Sequence, residues 1–203
     1  MIRDNARHSF DVARLGYLDW IDKDPLHESV GLQNAIVYGR AALNILSTLK
    51  AIYGERFTTW YKAIMQALHD DPLMAWYIEL RNQVLKEGLP QMQVHGTMAN
   101  MPDFFERIFA DVPEGGVPFL MGEFGMGWYT PTDDGSNPEI HHFEITTEIQ
   151  EEFGVSIQFP NTPTEHAGHP LTDRSARAVL LLCLGNIEDV LDAVDKQFTT
   201  VEA

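Results

Sequence analysis

The sequence DDPLMAWYIELRNQVLKEGLP, residues 70–90, contains the start, the apolar face and the end of one helix. Asp71 is a residue that caps helix N-termini, and Pro72 suits the first helical position because the N–H that it lacks would have no partner there. Gly88 favours the backbone conformation that ends a helix, and Pro90 cannot continue one. The stretch therefore predicts a helix over residues 72–87.

An arginine lies inside the apolar face of this predicted helix. An advance of 100° per residue places Arg81 between two groups of apolar side chains, with Asn82 at the border of the apolar arc and Lys86 beside Asn82. A guanidinium keeps its charge, so it needs a carboxylate, a ligand anion or a wet cleft. Two interpretations remain open: an internal ion pair, or an anion site in a groove between helices or at a dimer seam. The carboxylates considered for the ion pair are Asp11, Asp19 and Glu79.

Three more helices precede residue 70, and one closes the chain. Apolar residues at helical spacing predict helices over about 9–21, 28–53, 57–69 and 173–198. Ser9 is the expected N-cap of the first, and Gly54 is expected to end the second. The second has the widest apolar surface, including Val30, and the last is expected to turn Leu182 inward. We therefore expect the helix at 28–53 to lie at the centre of a bundle.

Residues 117–160 have a different pattern. Short aromatic and β-branched runs alternate there, as in Ile140, His142 and Glu144, and TPTDDGSNP between two of the runs is dense in turn-forming residues. These features predict a small antiparallel β-meander, preceded by a short helix at 102–110. The expected fold is mainly α: a single domain over 1–203, with a bundle of about five main helices built from 1–90 and 171–198. The β-meander is inserted before the last helix.

Composition and charge limit the partners that this chain can have. The formal charge is −16; residues 1–100 carry 10 Lys and Arg against 11 Asp and Glu, whereas residues 101–203 carry 4 against 19. The acidic half would repel a polyanion, so RNA or a nucleotide would have to contact the N-terminal half. No apolar run is long enough to cross a membrane, and Cys183 is the lone cysteine, expected as a buried small hydrophobe. These features favour a cytoplasmic protein.

The stretch LRNQVLKEGLP resembles the signature helix of the HEPN superfamily (higher eukaryotes and prokaryotes nucleotide-binding domains). Residues 57–90 also resemble a group of bacterial proteins with a WY…DPL…LRN…KEG pattern. The HEPN resemblance implies a helical bundle that dimerises through its signature helices. It also implies a motif of Arg, a polar residue that is frequently Asn, a short gap and then His. In ribonucleases of that superfamily, the Arg and His flank the scissile phosphate without a metal ion.

This chain departs from the HEPN motif at the position of the histidine. Arg81 and Asn82 match, but Lys86 stands where the ribonucleases have His. A lysine ordinarily titrates near pH 10.4, which suits proton exchange at neutral pH poorly. We therefore expect a non-catalytic protein whose Arg81, Asn82 and Lys86 support a homodimer or bind an anionic or nucleotide ligand. The alternative is a metal-independent ribonuclease or toxin-system component that acts through the same three residues.

A third interpretation is a metal-dependent enzyme that uses the histidines at 141–169. His166 and His169 have a His-x-x-His spacing, and His141 is the other weak candidate. Since neighbouring residues of a strand point to opposite faces, His141 and His142 cannot both join one site. GEFGMGWY, residues 122–129, has no helix opening after it, so it is not a phosphate-binding fingerprint but a turn or bulge. We expect no cofactor.

Overall fold

A computed structural model describes residues 2–22, 28–89, 92–96, 101–120, 126–132, 138–143 and 146–198. Over these residues the chain is mainly α-helical, with small antiparallel sheets before the last helix, which confirms the predicted fold class. Contacts divide the chain into two units: Met1–Pro90 with Asn161–Ala203, and Gln91–Pro160. The single domain predicted over residues 1–203 stays a prediction.

Helices form most of the first unit. The helices of the whole chain are α1 (Ile2–Ile21), α2 (Glu28–Leu46), α3 (Lys50–Asp70), α4 (Pro72–Glu87), α5 (Met101–Phe109), α6 (Thr147–Phe153) and α7 (Ala176–Gln197). A short 3₁₀ turn at Ser47–Leu49 joins α2 to α3. Gly54 has a φ of 61° and bends α3, so the helix break that the sequence predicts there is a kink. No described helix is long and apolar enough to cross a membrane.

Helix α1 is longer than the sequence predicts. It begins at Ile2, so Ser9 is not an N-cap; Ser9 is buried, and its hydroxyl donates a hydrogen bond to the carbonyl oxygen of Tyr38 at 3.0 Å. The first two turns are polar and lack an apolar pattern, which is why the prediction missed them. They are held by Arg7, which pairs with Asp192 at 2.6 Å and Asp195 at 2.7 Å on α7.

Helices α1 and α2 run antiparallel and approach very closely. A Cβ at Gly16 would lie 2.6 Å from the carbonyl oxygen of Gly31, and one at Gly31 would lie 2.7 Å from that of Gly16. Such distances leave room for glycine alone. Helix α2 also packs against α4 and α7, so its predicted central place is confirmed.

Two residues predicted to point inward are exposed. Val30 is 52% exposed and Leu182 is 39% exposed. Apolar residues cover more of α2 and α7 than their neighbours can bury, so a prediction from periodicity alone overestimates the core. Cys183, next to Leu182, is buried as expected.

The strands are short and form three separate sheets. They are β1 (Gln93–His95), β2 (Val117–Leu120), β3 (Met126–Tyr129), β4 (Ile140–His142), β5 (Ser156–Gln158), β6 (Glu165–His166) and β7 (His169–Pro170). Strands β2, β3 and β4 form an antiparallel meander, β5 pairs with β1, and β6 pairs with β7.

The β-meander predicted over 117–160 is therefore too long. Residues 147–153 form a helix instead, with the hydroxyl of Thr146 accepting from the N–H of Ile149 at 3.3 Å. Strand β5 does not extend the meander, because its partner β1 comes from before the short helix, which the structure places at Met101–Phe109. Three residues give too weak a pattern to predict β1. Glu144 and parts of the two expected turns, residues 122–125 and 133–137, lie outside the described residues.

The second unit has its own small core. Phe104 and Ile108 of α5 are buried together with Val155, and partly buried aromatic side chains pack around them. One face of α5 packs into this core, so the apolar residues of the helix lie on that face. It contains none of the arginine, asparagine or lysine residues that the sequence marks as a site.

Candidate anion-binding site

Helix α4 begins and ends as the sequence predicts. The carboxylate of Asp71 accepts a hydrogen bond from the backbone N–H of Met74 at 3.0 Å, and Pro72 is the first helical residue. At the other end, Gly88 has a φ of 88°. The apolar side chains of α4 determine which of its faces is turned inward. Its buried side chains are Leu73, Met74, Tyr77, Leu80 and Val84.

Tyr77 determines how α4 packs against α2. Its hydroxyl lies 3.0 Å from the carbonyl oxygen of Ala35 and 2.9 Å from that of Ile36. The phenol oxygen occupies the space that a Cβ at Gly39 would need. Because residues four apart share one face of a helix, this contact also turns Arg81, one turn after Tyr77, toward α2.

Arg81 is partly buried on α4, and no described carboxylate pairs with it. Its Nη1 donates to Oδ1 of Asn82 at 3.3 Å, and its Nε is buried without a hydrogen-bond partner. The amide nitrogen of Asn82 lies 3.5 Å from the Glu79 carboxylate. Among the residues that the structure describes, Arg81 forms no ion pair, so none of the three carboxylates considered from the sequence is its partner.

A second arginine, which the sequence reasoning missed, lies in the same seam. Arg40 follows Gly39 on α2, is partly buried, and has a buried Nη1 without a hydrogen-bond partner. A signal for it exists in the sequence, since Arg40 interrupts the apolar helix that was expected at the centre of the bundle. An arginine in a central helix raises the same question as Arg81, namely what balances its charge.

The charges of the two arginines act on each other. Burial has the largest effect on the pKa of Arg40 and lowers it; the Tyr61 phenol opposes this, and the charge of Arg81 lowers the pKa further. Both arginines also act on the phenol of Tyr77, whose pKa burial raises well above its usual value. The seam between α2 and α4 therefore holds two positive charges, and no described carboxylate is among the groups that act on Arg40.

Neither tyrosine at this site is a base at neutral pH. The hydroxyl of Tyr61 donates to the carbonyl oxygen of Leu43 at 2.5 Å. Burial raises the pKa of Tyr61 to about 12, although the charge of Arg40 opposes the shift. Tyr61 and Tyr77 are therefore neutral phenols, each engaged with a helix carbonyl. Among the described residues, the groups at this site are guanidinium N–H donors and phenols that stay protonated near pH 7.

Lys86 does not share the environment of Arg81. It is exposed, whereas Arg81 and Asn82 are partly buried. Five residues along a helix correspond to a rotation of 140°, which separates Lys86 from the face that contacts α2. The structure thus brings Arg81 together with Arg40 and Asn82, and the role predicted for Lys86 stays a prediction.

The histidines are engaged in separate local contacts. His141 of β4 stacks on Trp128 with ring centroids 4.0 Å apart, and its neighbour His142 packs edge-on against Phe119. His166 pairs with His169 across the β6–β7 hairpin. Among the described residues, no group of three or more His, Cys, Asp or Glu side chains is arranged to hold a metal ion.

His166 has a structural partner at the start of α4. Its Nδ1 lies 3.1 Å from each carboxylate oxygen of Asp71, and Nδ2 of Asn186 lies 3.3 Å from its Nε2. The backbone N–H of Ala167 donates to the same carboxylate at 2.6 Å. Asp71 thus links the β6–β7 hairpin to α4. This contact gives His166, one of the candidate metal ligands, a structural role.

Comparison with known proteins finds one family over part of the chain. A family model described as bacteriophage lambda protein ea47 matches residues 16–100. The match covers less than half of the chain, but it includes α2, α3 and α4 and hence both Arg40 and Arg81. No curated protein and no solved structure matches the chain. The similarity therefore marks the segment that contains the candidate site.

Proposed function

We propose that this chain binds a small oxyanion, without catalysing a reaction on it, at the site formed by Arg40 and Arg81. The carrying observation is that each of these arginines has a buried N–H group without a hydrogen-bond partner. Both residues are only partly buried, so an anion can approach their exposed parts, and both side chains are long enough to turn toward it.

The energetics of burial support a ligand at this position. A buried charged donor without an acceptor costs roughly 1–3 kcal/mol or more, and a hydrogen bond to a charged group contributes about 1.5–3 kcal/mol. An oxyanion would accept hydrogen bonds from both arginines and would also remove the repulsion between them. The N-terminal half of the chain is nearly neutral, so it does not repel an anion as the acidic half does.

The absence of a suitable acid or base favours binding over cleavage. The described groups that act on Arg40 are another arginine and two phenols that stay neutral at pH 7. The HEPN resemblance leads to the same proposal, since the ribonuclease histidine is replaced by Lys86. The ribonuclease alternative makes the opposite prediction. It requires RNA cleavage by the wild type that is lost in Arg81→Ala.

Anion binding is tested by titrating the purified protein with inorganic phosphate by calorimetry at constant ionic strength. We expect saturable binding in the wild type and a loss of at least about tenfold in affinity in Arg40→Gln and in Arg81→Gln, because each loses one charged donor. Arg14→Gln is the matched control, since Arg14 is an exposed arginine on α1. Equal phosphate affinity in all four proteins would contradict the proposal.

A second proposal concerns dimerisation through α4, which the HEPN resemblance implies. Leu85 lies one turn after Arg81 and is 51% exposed, so an apolar side chain is present beside the site for a second copy to cover. Light scattering tests this: we expect a dimer for the wild type and a monomer for Leu85→Lys. Leu181→Lys is the control, because Leu181 is 55% exposed on α7. A monomeric wild type at micromolar concentration would exclude the dimer.

A further inference from the structure

In the part of the chain that the structure describes, the buried polar atoms left unpaired between α2 and α4 are donors. The hydroxyls of Tyr61 and Tyr77 are engaged with helix carbonyls, and Nη1 of Arg81 is engaged with Asn82. The unpaired groups are Nη1 of Arg40, which has two N–H bonds, and Nε of Arg81, which has one. A ligand that fits must present several acceptor oxygens to these donors, which describes an oxyanion rather than an alcohol, an amide or an amine.

The charge of the site indicates which oxyanion fits best. The two guanidiniums carry two positive charges, and no carboxylate is among the described groups that act on Arg40. A monoanion would leave one positive charge uncompensated in a partly buried seam, whereas a dianion would compensate both.

We propose that the ligand is a dianionic terminal phosphate, that is a phosphate monoester or inorganic phosphate, and not the monoanionic phosphodiester of a nucleic-acid backbone. This inference rests on the proposed function. The position of the donors supports it independently of charge. The two unpaired nitrogens come from different helices and are buried, so a phosphate with few substituents reaches them more easily than a bulkier one. A diester carries substituents on two of its four oxygens, whereas a monoester carries one and leaves three oxygens to accept from the donors.

The pH dependence of binding follows from the ligand and not from the protein. A phosphate monoester takes up its second proton near pH 6, whereas a diester has no proton to take up in this range. Arg40 and Arg81 stay charged, and Tyr61 and Tyr77 stay neutral, between pH 5 and pH 8. Two other helices, α1 and α7, also pack on α2. Neither contributes a described group that acts on the pKa of Arg40.

One imidazole packs near α4 and supplies a control. His166 contacts Asp71 at the start of the helix, ten residues before Arg81, which corresponds to about 15 Å along the axis. His166→Gln should therefore leave the pH dependence of ligand binding unchanged. A change in that variant would assign the dependence to the protein and overturn the inference.

The experiment compares methyl phosphate with dimethyl phosphate by calorimetric titration of the full chain at about pH 5 and about pH 7.5. At the higher pH, we expect methyl phosphate to bind at least about tenfold more tightly than dimethyl phosphate. At the lower pH, most of this difference in affinity should be lost. Inorganic phosphate is the third ligand: tighter binding than methyl phosphate would identify the free ion as the source, and weaker binding would identify an ester.

The outcomes separate this inference from the proposed function. One outcome is that methyl phosphate and dimethyl phosphate bind with equal affinity at the higher pH and lose binding in Arg40→Gln and Arg81→Gln. In that case the site binds anions, but the proposed preference for a dianion is wrong. If no phosphate binds in an arginine-dependent way, the proposed function itself is wrong. Arg40→Lys and Arg81→Lys guard against loss of folding, because they keep the charge and should retain part of the preference for methyl phosphate.

Discussion

The phenol oxygen of Tyr77 lies where a Cβ at Gly39 would be. This contact sets the distance between α2 and α4 and so determines how near Arg40 and Arg81 come to each other. Side chains of α7 also approach the glycine, with Leu184 at 3.1 Å and Ile187 at 3.4 Å from the position of that Cβ. The seam that contains the candidate site is therefore maintained by a residue without a side chain.

Gly39→Ala should destabilise the protein, although alanine is the better helix former. Overpacking a core costs about 1–3 kcal/mol, whereas the gain in helix propensity is about 0.5–1 kcal/mol. We expect a lower free energy of unfolding in urea denaturation. Gly185→Ala on α7 is the matched control, because nothing lies within 4 Å of a Cβ there, and it should stabilise the protein.

A double-mutant cycle with Tyr77→Phe identifies the cause of that loss. Removal of the hydroxyl frees the space that a Cβ at position 39 needs, so the cost of Gly39→Ala should be smaller in the Tyr77→Phe background. Residues in direct contact typically couple by 0.5–3 kcal/mol. Additive effects of the two substitutions would show that Tyr77 is not the group that excludes a side chain at Gly39.

Asp71 should stabilise the fold at neutral pH and less so in acid. Burial raises its pKa, but the N–H groups of Ala167 and Met74, together with the His166 ring, outweigh this and hold the pKa below its usual value of 3.8. A lowered pKa means that the contribution is present above about pH 4 and is lost as the pH falls through the folded-state value. Asp71→Ala should cost about 1–2 kcal/mol at pH 7.

Chemical denaturation across pH tests this prediction. The difference in unfolding free energy between the wild type and Asp71→Ala should shrink below about pH 4. Asp70→Ala is the control, because the neighbouring carboxylate is exposed and accepts a hydrogen bond from the side chain of Gln66 at 2.8 Å. A pH-independent difference would mean that the charge of Asp71 contributes nothing and that only its side-chain packing matters.

Tyr61 should make the fold sensitive to alkali. Its pKa is about 12 in the folded protein, against 10.0 for an ordinary tyrosine, because burial penalises the phenolate. The unfolded chain therefore releases this proton first, so stability is unchanged below about pH 10 and falls between about pH 10 and 12. Wild-type stability should fall more steeply over that range than that of Tyr61→Phe. Parallel curves would show that Tyr61 ionises normally.

The helices could be predicted from the sequence because their signals are local. Asp71, Pro72 and Gly88 mark both ends of α4, and Gly54 marks the bend that follows α2. By contrast, β1 is only three residues long, and its pairing with β5 depends on chain segments about 60 residues apart. The first turns of α1 depend on the ion pairs of Arg7 with α7. Pattern reasoning does not detect stabilisation that comes from distant segments.

For the same reason, one of the two arginines of the candidate site could be predicted from the sequence and the other could not. Arg81 is conspicuous because it interrupts an apolar arc within one helix, whereas its neighbour Arg40 is 41 positions away on a helix whose apolar surface is wide. Only the packing of Tyr77 on Gly39 shows that the two belong together. Lys86 was grouped with Arg81 by a sequence motif, although a rotation of 140° separates them on the helix.

Arg40→Met should stabilise the anion-free protein, because a methionine retains the apolar stem of the side chain and removes a partly buried charge whose Nη1 lacks a hydrogen-bond partner among the described residues. We expect a gain of about 1–2 kcal/mol in phosphate-free buffer, as is common when buried charges are replaced by apolar residues. Arg14→Met, at an exposed position, should change stability by less than about 0.5 kcal/mol.

Phosphate should reverse this order of stability. A ligand at 100 times its dissociation constant stabilises the state that binds it by about 2.7 kcal/mol, so the wild type should equal or exceed Arg40→Met once phosphate saturates the site. Phosphate also stabilises proteins in general, and for this reason the measured quantity is the difference between the two proteins at each concentration. If Arg40→Met is the less stable protein without phosphate, the guanidinium has a stabilising partner, and the uncompensated charge that underlies the anion site does not exist.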